Sequence, residues 1–105
     1  MSLVLVKPQT TQVHVISHTH WDREWYLTRE DYRLRLIDLV DGVLDRMDRD
    51  DKFTFFHLDG QTIVLEDYLE VRPDQKERLR RRIGGGRLLV GPWYVMPDMF
   101  LVSGE

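Results

Sequence analysis

Leu36, Ile37, Val40, Val43, Leu44 and Met47 recur at three- and four-residue intervals, while Arg35, Asp38, Asp41, Asp45 and Asp48 fall between them. That spacing puts the apolar side chains on one stripe of a helix and the charges on the other. Thr28, followed by Arg29, Glu30 and Asp31, marks its start: a hydroxyl to cap free backbone N–H groups, then acids at the positive end of the helix dipole. Asp50 and Asp51 close it. A β-rich run lies on each side of this helix. Thr11–Ser17 holds Val13, Val15 and Ile16, and Phe53–Leu58 reads FTFFHL, an aromatic run suited to a strand covered on both faces. The stripe is a core-facing surface, and the order strand, helix, strand is the signature of a crossover unit in a parallel sheet.

The rest of the chain continues the pattern. Asp59-Gly60 ends the second run, Gln61–Val71 reads as a short helix, and Pro73 opens a further helix through Ile83, stopped by Gly84, Gly85 and Gly86. Arg87–Val90 is a third short strand, broken by Gly91-Pro92 before Trp93-Tyr94. The expected fold is α/β, three parallel strands of an incomplete sheet, with active groups at the carboxyl ends of the strands. Residues 1–10 read as a flexible N-terminus, in part derived from expression, and Met1–Leu3 carry no weight in the fold. No internal repeat or low-complexity segment interrupts the single domain expected of 105 residues.

Composition narrows the function classes. Fifteen Lys and Arg stand against 18 Asp and Glu, for a formal net charge of -3 with signs interspersed, which speaks against nucleic acid or an anionic membrane as partner. Without cysteine there are neither disulfides nor thiolate metal sites. The apolar runs are too short to cross a bilayer, and the first ten residues lack the features of a signal peptide, so a cytoplasmic location is expected. At 42% hydrophobic residues the chain can bury a modest core, roughly two-thirds of its unfolded surface, but not the core of a large enzyme.

The chemistry concentrates in residues 17–26, SHTHWDREWY, directly after the first β run. His18, His20 and Asp22 occupy alternate positions, and in extended chain alternate side chains share a face, roughly 6.5 to 7 Å apart along the strand. Imidazole nitrogen and carboxylate oxygen are both good zinc ligands, and the spacing permits the trio or any pair of them. The same residues have plainer uses: histidines at a strand end satisfy backbone groups, and Asp22 pairs with Arg23 or caps a turn. Trp21 and Trp25 offer ring faces to the C–H bonds of a sugar, or packing for the loop.

Three blocks in order, HTHWDREWY at residues 18–26, LDGQTIVLEDYLEV at 58–71 and GPWYVMPD at 91–98, resemble the opening of bacterial family 38 glycoside hydrolases, the α-mannosidases and related mannosylglycerate hydrolases. The resemblance runs from about Val13 onward. It implies that residues 11–105 are the N-terminal portion of a catalytic domain, the first three strands of a (β/α)7-type barrel. It implies further that His20 and Asp22, the His and Asp of an H-x-D-x-x-W motif, bind Zn2+ or another divalent metal, that His18 is a neighbour outside the ligand set, and that Trp25 lies against the mannose ring. The implied chemistry is retaining hydrolysis of α-mannosides or mannosylglycerate, with one carboxylate attacking the anomeric carbon and a second protonating the leaving oxygen. The resemblance implies that the nucleophile, an Asp that is also a metal ligand, belongs to a D-x-F-G-type motif, which does not occur before Glu105, and that a later His completes the ligands. Two of four ligands and neither catalytic carboxyl are therefore expected here, and the chain alone is expected to be inactive.

Asp59 and Asp98, after the second and third strands, stand where a parallel sheet presents active groups, to orient a ligand or bind a substrate hydroxyl; capping for Asp59 and a turn for Asp98 are the plain readings. His57 reads as a buried, hydrogen-bonded strand residue. Arg78, Arg80, Arg81 and Arg82, with Asp74 and Glu77 nearby, read as a solvated face, and the triple glycine lacks the lysine and preceding strand of a P-loop. Two other functions fit the same residues: a stand-alone metal- or carbohydrate-binding module without catalysis, and an interaction domain that self-associates through exposed sheet edges. Continuation of the reading frame into a D-x-F-G-type segment separates the enzyme from the module.

Overall fold

The computed structural model describes residues 4–98, 100 and 103. Met1–Leu3 and Glu105, the outer limits of the two segments expected from the sequence, lie outside the described residues. The elements run α1 (Arg29–Arg49), β1 (Phe56–His57), α2 (Ile63–Val71), a 3-10 turn (Pro73–Gln75), α3 (Lys76–Gly84) and β2 (Leu88–Leu89).

The strands pair in parallel, Phe56 with Leu88 and His57 with Leu89. The first β run contributes a single parallel bridge, His18 to His57, instead of a strand. Backbone bonds place β1 in the middle: His57 donates to Ser17 O (2.9 Å) and accepts from Thr19 N (3.1 Å), while Phe56 and Leu58 donate outward to Arg87 O (2.9 Å) and Leu89 O (2.8 Å). Among the described residues parallel crossover order thus holds, with a two-stranded sheet and two isolated bridges, His18 to His57 and Gln61 to Trp93, in place of three strands. Residues 11–16 are exposed and unpaired in any ladder, Val15 by 81% and Val13 by 76%. No element among the described residues packs over them, so their β-branched side chains gain nothing from an extended, pleated surface. Burial of FTFFHL on both faces is likewise not what the fold shows. Phe56 and Leu58 are buried, His57 is half-buried and Phe55 is exposed, an alternation that follows from helices covering only one face.

Helix α1 begins where the sequence places it. The Thr28 side chain accepts from Asp31 N, and Asp50 is the C-cap. Its stripe, Leu36, Ile37, Val40, Val43, Leu44 and Met47, forms the core together with Phe56, Leu58, Val64, Tyr68, Leu79 and Leu88. Tyr68 is fully buried, and its hydroxyl donates to Asp41 Oδ1 at 2.5 Å. Burial pushes that hydroxyl well above the ordinary phenol range, and the hydrogen bond to Asp41 adds to the shift. Arg72 pairs with the other oxygen of Asp41 at 3.1 Å, so one carboxylate joins α1 to both ends of the buried tyrosine's turn.

Two of the four clustered arginines are engaged by α1. Arg78 bonds Asp45 (2.8 Å) and Asp48, and Arg82 bonds Asp48, which fastens α3 across the polar side of α1. The cluster is thus in part an interhelical clasp, although its acids come from α1 and not from Asp74 or Glu77. No helix among the described residues is long and apolar enough to cross a membrane.

Leu44 is fully buried in this core and Asp38 is exposed on the same helix. Leu44→Ala is expected to lower unfolding free energy by about 3 kcal/mol, and Asp38→Ala to change it by less than about 0.5 kcal/mol, both read from urea midpoints. Hydrogen bonds from Arg78 and then Arg82 hold the Asp48 carboxyl below its ordinary 3.8. A depressed carboxylate stabilises the fold above the unfolded-state value and loses that contribution as pH falls through the folded one. The stability gap between the unaltered chain and Asp48→Asn should therefore be constant above pH 5, below about 1 kcal/mol for so exposed a pair, and shrink on acidification below 3.8.

Candidate functional site

The carboxyl ends of the three aligned segments meet at residues 19–23, 58–61 and 90–96. His20 and Asp22 leave the first segment on the same side: His20 Nε2 lies 3.5 Å from Asp22 Oδ1, with the two side chains 71% and 45% exposed. With Trp21, Arg23, Glu24, Gln61, Val95, Met96, Pro97 and Asp98 they line an open cleft of about 500 Å³. Among the described residues, no cluster of three or more His, Cys, Asp or Glu forms around them. His18 is not in the lining. It sits in the bridge to His57, with Nδ1 3.4 Å from the Thr19 carbonyl.

The loop that carries the pair is held from beneath. Asp59 is 6% exposed, and its carboxylate accepts from Trp21 N (Oδ2, 2.7 Å), from Gln61 Nε2 (Oδ2, 3.2 Å) and from Gly60 N (Oδ1, 2.7 Å). Gln61, 3% exposed, donates the same amide to Trp21 O at 2.6 Å and accepts from Met96 N at 3.2 Å. Both polar groups of the Trp21 residue backbone, its N–H and its C=O, are thereby bonded to this one pair of side chains. Asp59 also has φ of 91°, in the left-handed region that side-chain-bearing residues seldom occupy. A Cβ at the following Gly60 would stand 2.6 Å from the Met96 Cε, so the Met96 side chain packs into the space that glycine leaves. The third segment closes on the second by a ladder: Trp93 N to Gly60 O (2.9 Å), Thr62 N to Trp93 O (2.7 Å) and Ile63 N to Tyr94 O (3.0 Å).

A second hold comes from α2. Arg23 makes a two-pronged bond to Asp67, Nε to Oδ2 at 2.7 Å and a terminal nitrogen to Oδ1 at 2.8 Å, and Arg29 adds a longer contact at 3.5 Å. Asp67 is 4% exposed. The hydrogen bond to Asp67 raises the Arg23 guanidinium above its ordinary value. Pairing of Asp22 with Arg23, the plain reading of the sequence, does not occur; Arg23 turns to Asp67, and Asp22 faces His20. The Trp21 ring meets Tyr32 edge-on at 5.9 Å and packs on the core.

The remaining candidates separate. Asp98 is exposed on the cleft wall and accepts from Phe100 N at 2.9 Å, so it both lines the cleft and closes a turn. Trp25 is 64% exposed, outside the cleft lining, and edge-on to Tyr26 at 5.9 Å. His57 is hydrogen-bonded in the strand, its Nδ1 accepting from Asp59 N at 3.2 Å. Gln61 and Asp67 carry no sequence signal of a role here: each acts on a residue some 40 positions away, and only the parallel alignment brings them together.

Residues 10–105 match the model of the glycosyl hydrolases family 38 N-terminal domain. A protein of Halalkalibacterium halodurans named "Putative mannosylglycerate hydrolase" is 52% identical over 92 residues, 88% of this chain and 10% of its own length. Among solved structures, an α-mannosidase from Enterococcus faecalis V583 is similar with a TM-score of 0.77 and 54% identity, over 79% of this chain and 9% of that one. A protein in glycosyl hydrolase family 38 from Enterococcus faecalis is similar with a TM-score of 0.74 and 50% identity, over 84% and 10%. The chain spans about a tenth of the length of these relatives.

The bond between Arg23 and Asp67 is expected to be worth more than a surface pair because Asp67 is buried. A double-mutant cycle with Arg23→Ala and Asp67→Ala should give a coupling of about 1–2 kcal/mol in unfolding free energy, with Asp67→Ala alone costing less than Arg23→Ala, which strands the buried carboxylate.

Proposed function

The chain belongs to the family 38 glycosyl hydrolases, as their N-terminal domain, and from that premise we propose that it is the metal-bearing start of a retaining α-mannosidase-type hydrolase acting on α-mannosides or mannosylglycerate. The observation that carries this reading is the pairing of His20 Nε2 with Asp22 Oδ1 at 3.5 Å on the cleft wall. Two donors bound at 2.0–2.2 Å to one tetrahedral ion stand roughly 3.3 Å from each other. The pair therefore fits a divalent cation such as Zn2+ with little rearrangement, and both side chains are open to the cleft. When bound, such an ion supplies Lewis acidity and a grip on sugar hydroxyls.

The chain's own residues do the rest of the binding. His20 and Asp22 orient the sugar edge that faces them, and Asp98, which lines the same cleft, accepts a hydrogen bond from a sugar hydroxyl. Trp25, with most of its ring in solvent, offers an apolar face for the mannose ring once the loop is covered. The nucleophile and the acid are supplied from other parts of the longer protein, so this chain alone turns over no substrate. A metal- or carbohydrate-binding module would use the same pair. The family match over nearly the whole chain favours the enzyme.

Calorimetric zinc titration of the full-length protein, compared with its His20→Ala variant, tests the ligand pair. The variant is expected to bind at least about 100-fold more weakly and to lose at least about 100-fold in kcat/KM on an aryl α-mannoside, more than the loss of a supporting contact outside the ligand set would cause. Unchanged zinc affinity in the variant sinks the ligand assignment. Failure of the full-length protein to hydrolyse either α-mannosides or mannosylglycerate sinks the activity.

A further inference from the structure

Three observations converge on one side chain that the proposed chemistry does not use. Asp59 is buried, holds a positive-φ backbone conformation that few residues other than glycine adopt, and directs its carboxylate at the peptide N–H of Trp21, the residue between the two candidate ligands. Strain of this kind persists only where surroundings enforce it, and it concentrates at functional positions. Here the enforcement is visible: Asp59 Oδ1 closes on Gly60 N, Oδ2 takes Trp21 N and Gln61 Nε2, and Asp59 N donates to His57 Nδ1. Gln61 completes the grip by donating to Trp21 O and accepting from Met96 N on the opposite wall of the cleft.

We propose that Asp59 and Gln61 are positioning residues that clamp both backbone polar groups of Trp21, and so set the spacing of the His20 and Asp22 side chains for a divalent cation. The inference rests on the proposed ligand pair. Rotation of either peptide flanking Trp21 would swing His20 or Asp22 away from its partner, because each side chain is one residue from the clamped atoms. The side chains of His20 and Asp22 are 71% and 45% exposed, so much of their placement comes from the backbone that carries them. Asp59 is buried, bonded to the loop backbone and absent from the cleft lining, which suits it to supporting the ligands. Gln61 also ties the clamp to the backbone of residue 96 on the third segment.

The test uses the full-length protein and two substitutions that preserve size. Asp59→Asn keeps a residue tolerant of positive φ but turns one acceptor oxygen into a donor facing donors, and Gln61→Met removes all three side-chain bonds. Zinc affinity is measured by chelator competition, exchange of the Trp21 amide hydrogen in metal-free protein, and thermal unfolding, with Leu44→Ala as a control that weakens the core without touching the loop. Both clamp variants are expected to exchange the Trp21 amide faster and to bind zinc about 10- to 100-fold more weakly, with Asp59→Asn the milder, while Leu44→Ala keeps native zinc affinity. Zinc affinity within twofold of native in Gln61→Met, with fast Trp21 exchange, overturns the clamp while leaving the ligand pair standing. An equal loss of affinity in Leu44→Ala overturns it as well, by showing that stability alone accounts for the effect. If His20→Ala binds zinc as the unaltered protein does, the ligand reading fails first and the clamp falls with it.

Discussion

The short strand Phe56–His57 is bonded on both sides, and the arrangement of the site follows from that. His57 spends its own N–H and C=O on residues 17 and 19, while Phe56 and Leu58 turn theirs to residues 87 and 89. Because strand neighbours alternate sides residue by residue, the register of one strand fixes both of its partners. A slip by one residue would send Asp59 away from Trp21 and Gln61 away from Met96. The core then locks that register, since Phe56 and Leu58 point into the stripe of α1 while His57 faces away.

Strength is distributed unevenly around this strand. The apolar stripe of α1 and the buried Tyr68 carry the packing, where loss of a side chain is costly. The Arg78 and Arg82 contacts reach carboxylates that stay 56% and 38% exposed, so solvent screens them and each adds little. Nearer the cleft the polar contacts are sheltered: Asp67 beneath Arg23, and Asp59 with Gln61 beneath Trp21, are all less than a tenth exposed. Polar groups removed from water must be bonded, and every buried side-chain nitrogen and oxygen among the described residues is. Directional bonds are thus concentrated under the loop, where orientation matters, and apolar contacts fill the region where only volume matters.

Helix α1, from its Thr28 cap to its Asp50 end, was legible in residue order because its signals are local: a cap, a dipole-matched first turn and a period of 3.6 residues. The parallel order was legible too, through the alternation of β runs and helices. Thr11–Ser17 was misread because β-branched composition reports a preference for a covered surface, and no described element covers those residues. FTFFHL was misread for a related reason, since hydrophobic content does not say how many faces a sheet will have covered. In the cleft, His20 and Asp22 stand out by spacing. Gln61 and Asp67 do not, because a glutamine after DG and an aspartate in an amphipathic helix look ordinary until their partners some 40 residues back are in place. Pairing of Arg23 with Asp22, one of the plain uses that adjacency in sequence offers, gives way in space to Asp67.

The separation between the loop and its supports also has a meaning in time. At synthesis rates of about 5–20 residues per second, roughly two to nine seconds pass between the making of residues 21–23 and the making of their anchors at 59 and 67, which lie 38 and 44 positions later. During that interval the loop that carries the histidine and aspartate has no anchor. Their shared geometry is acquired by closure of a long loop, after α1 is complete and the second strand has been laid against the first segment. A newborn chain therefore carries the two side chains well before it carries the arrangement that pairs them.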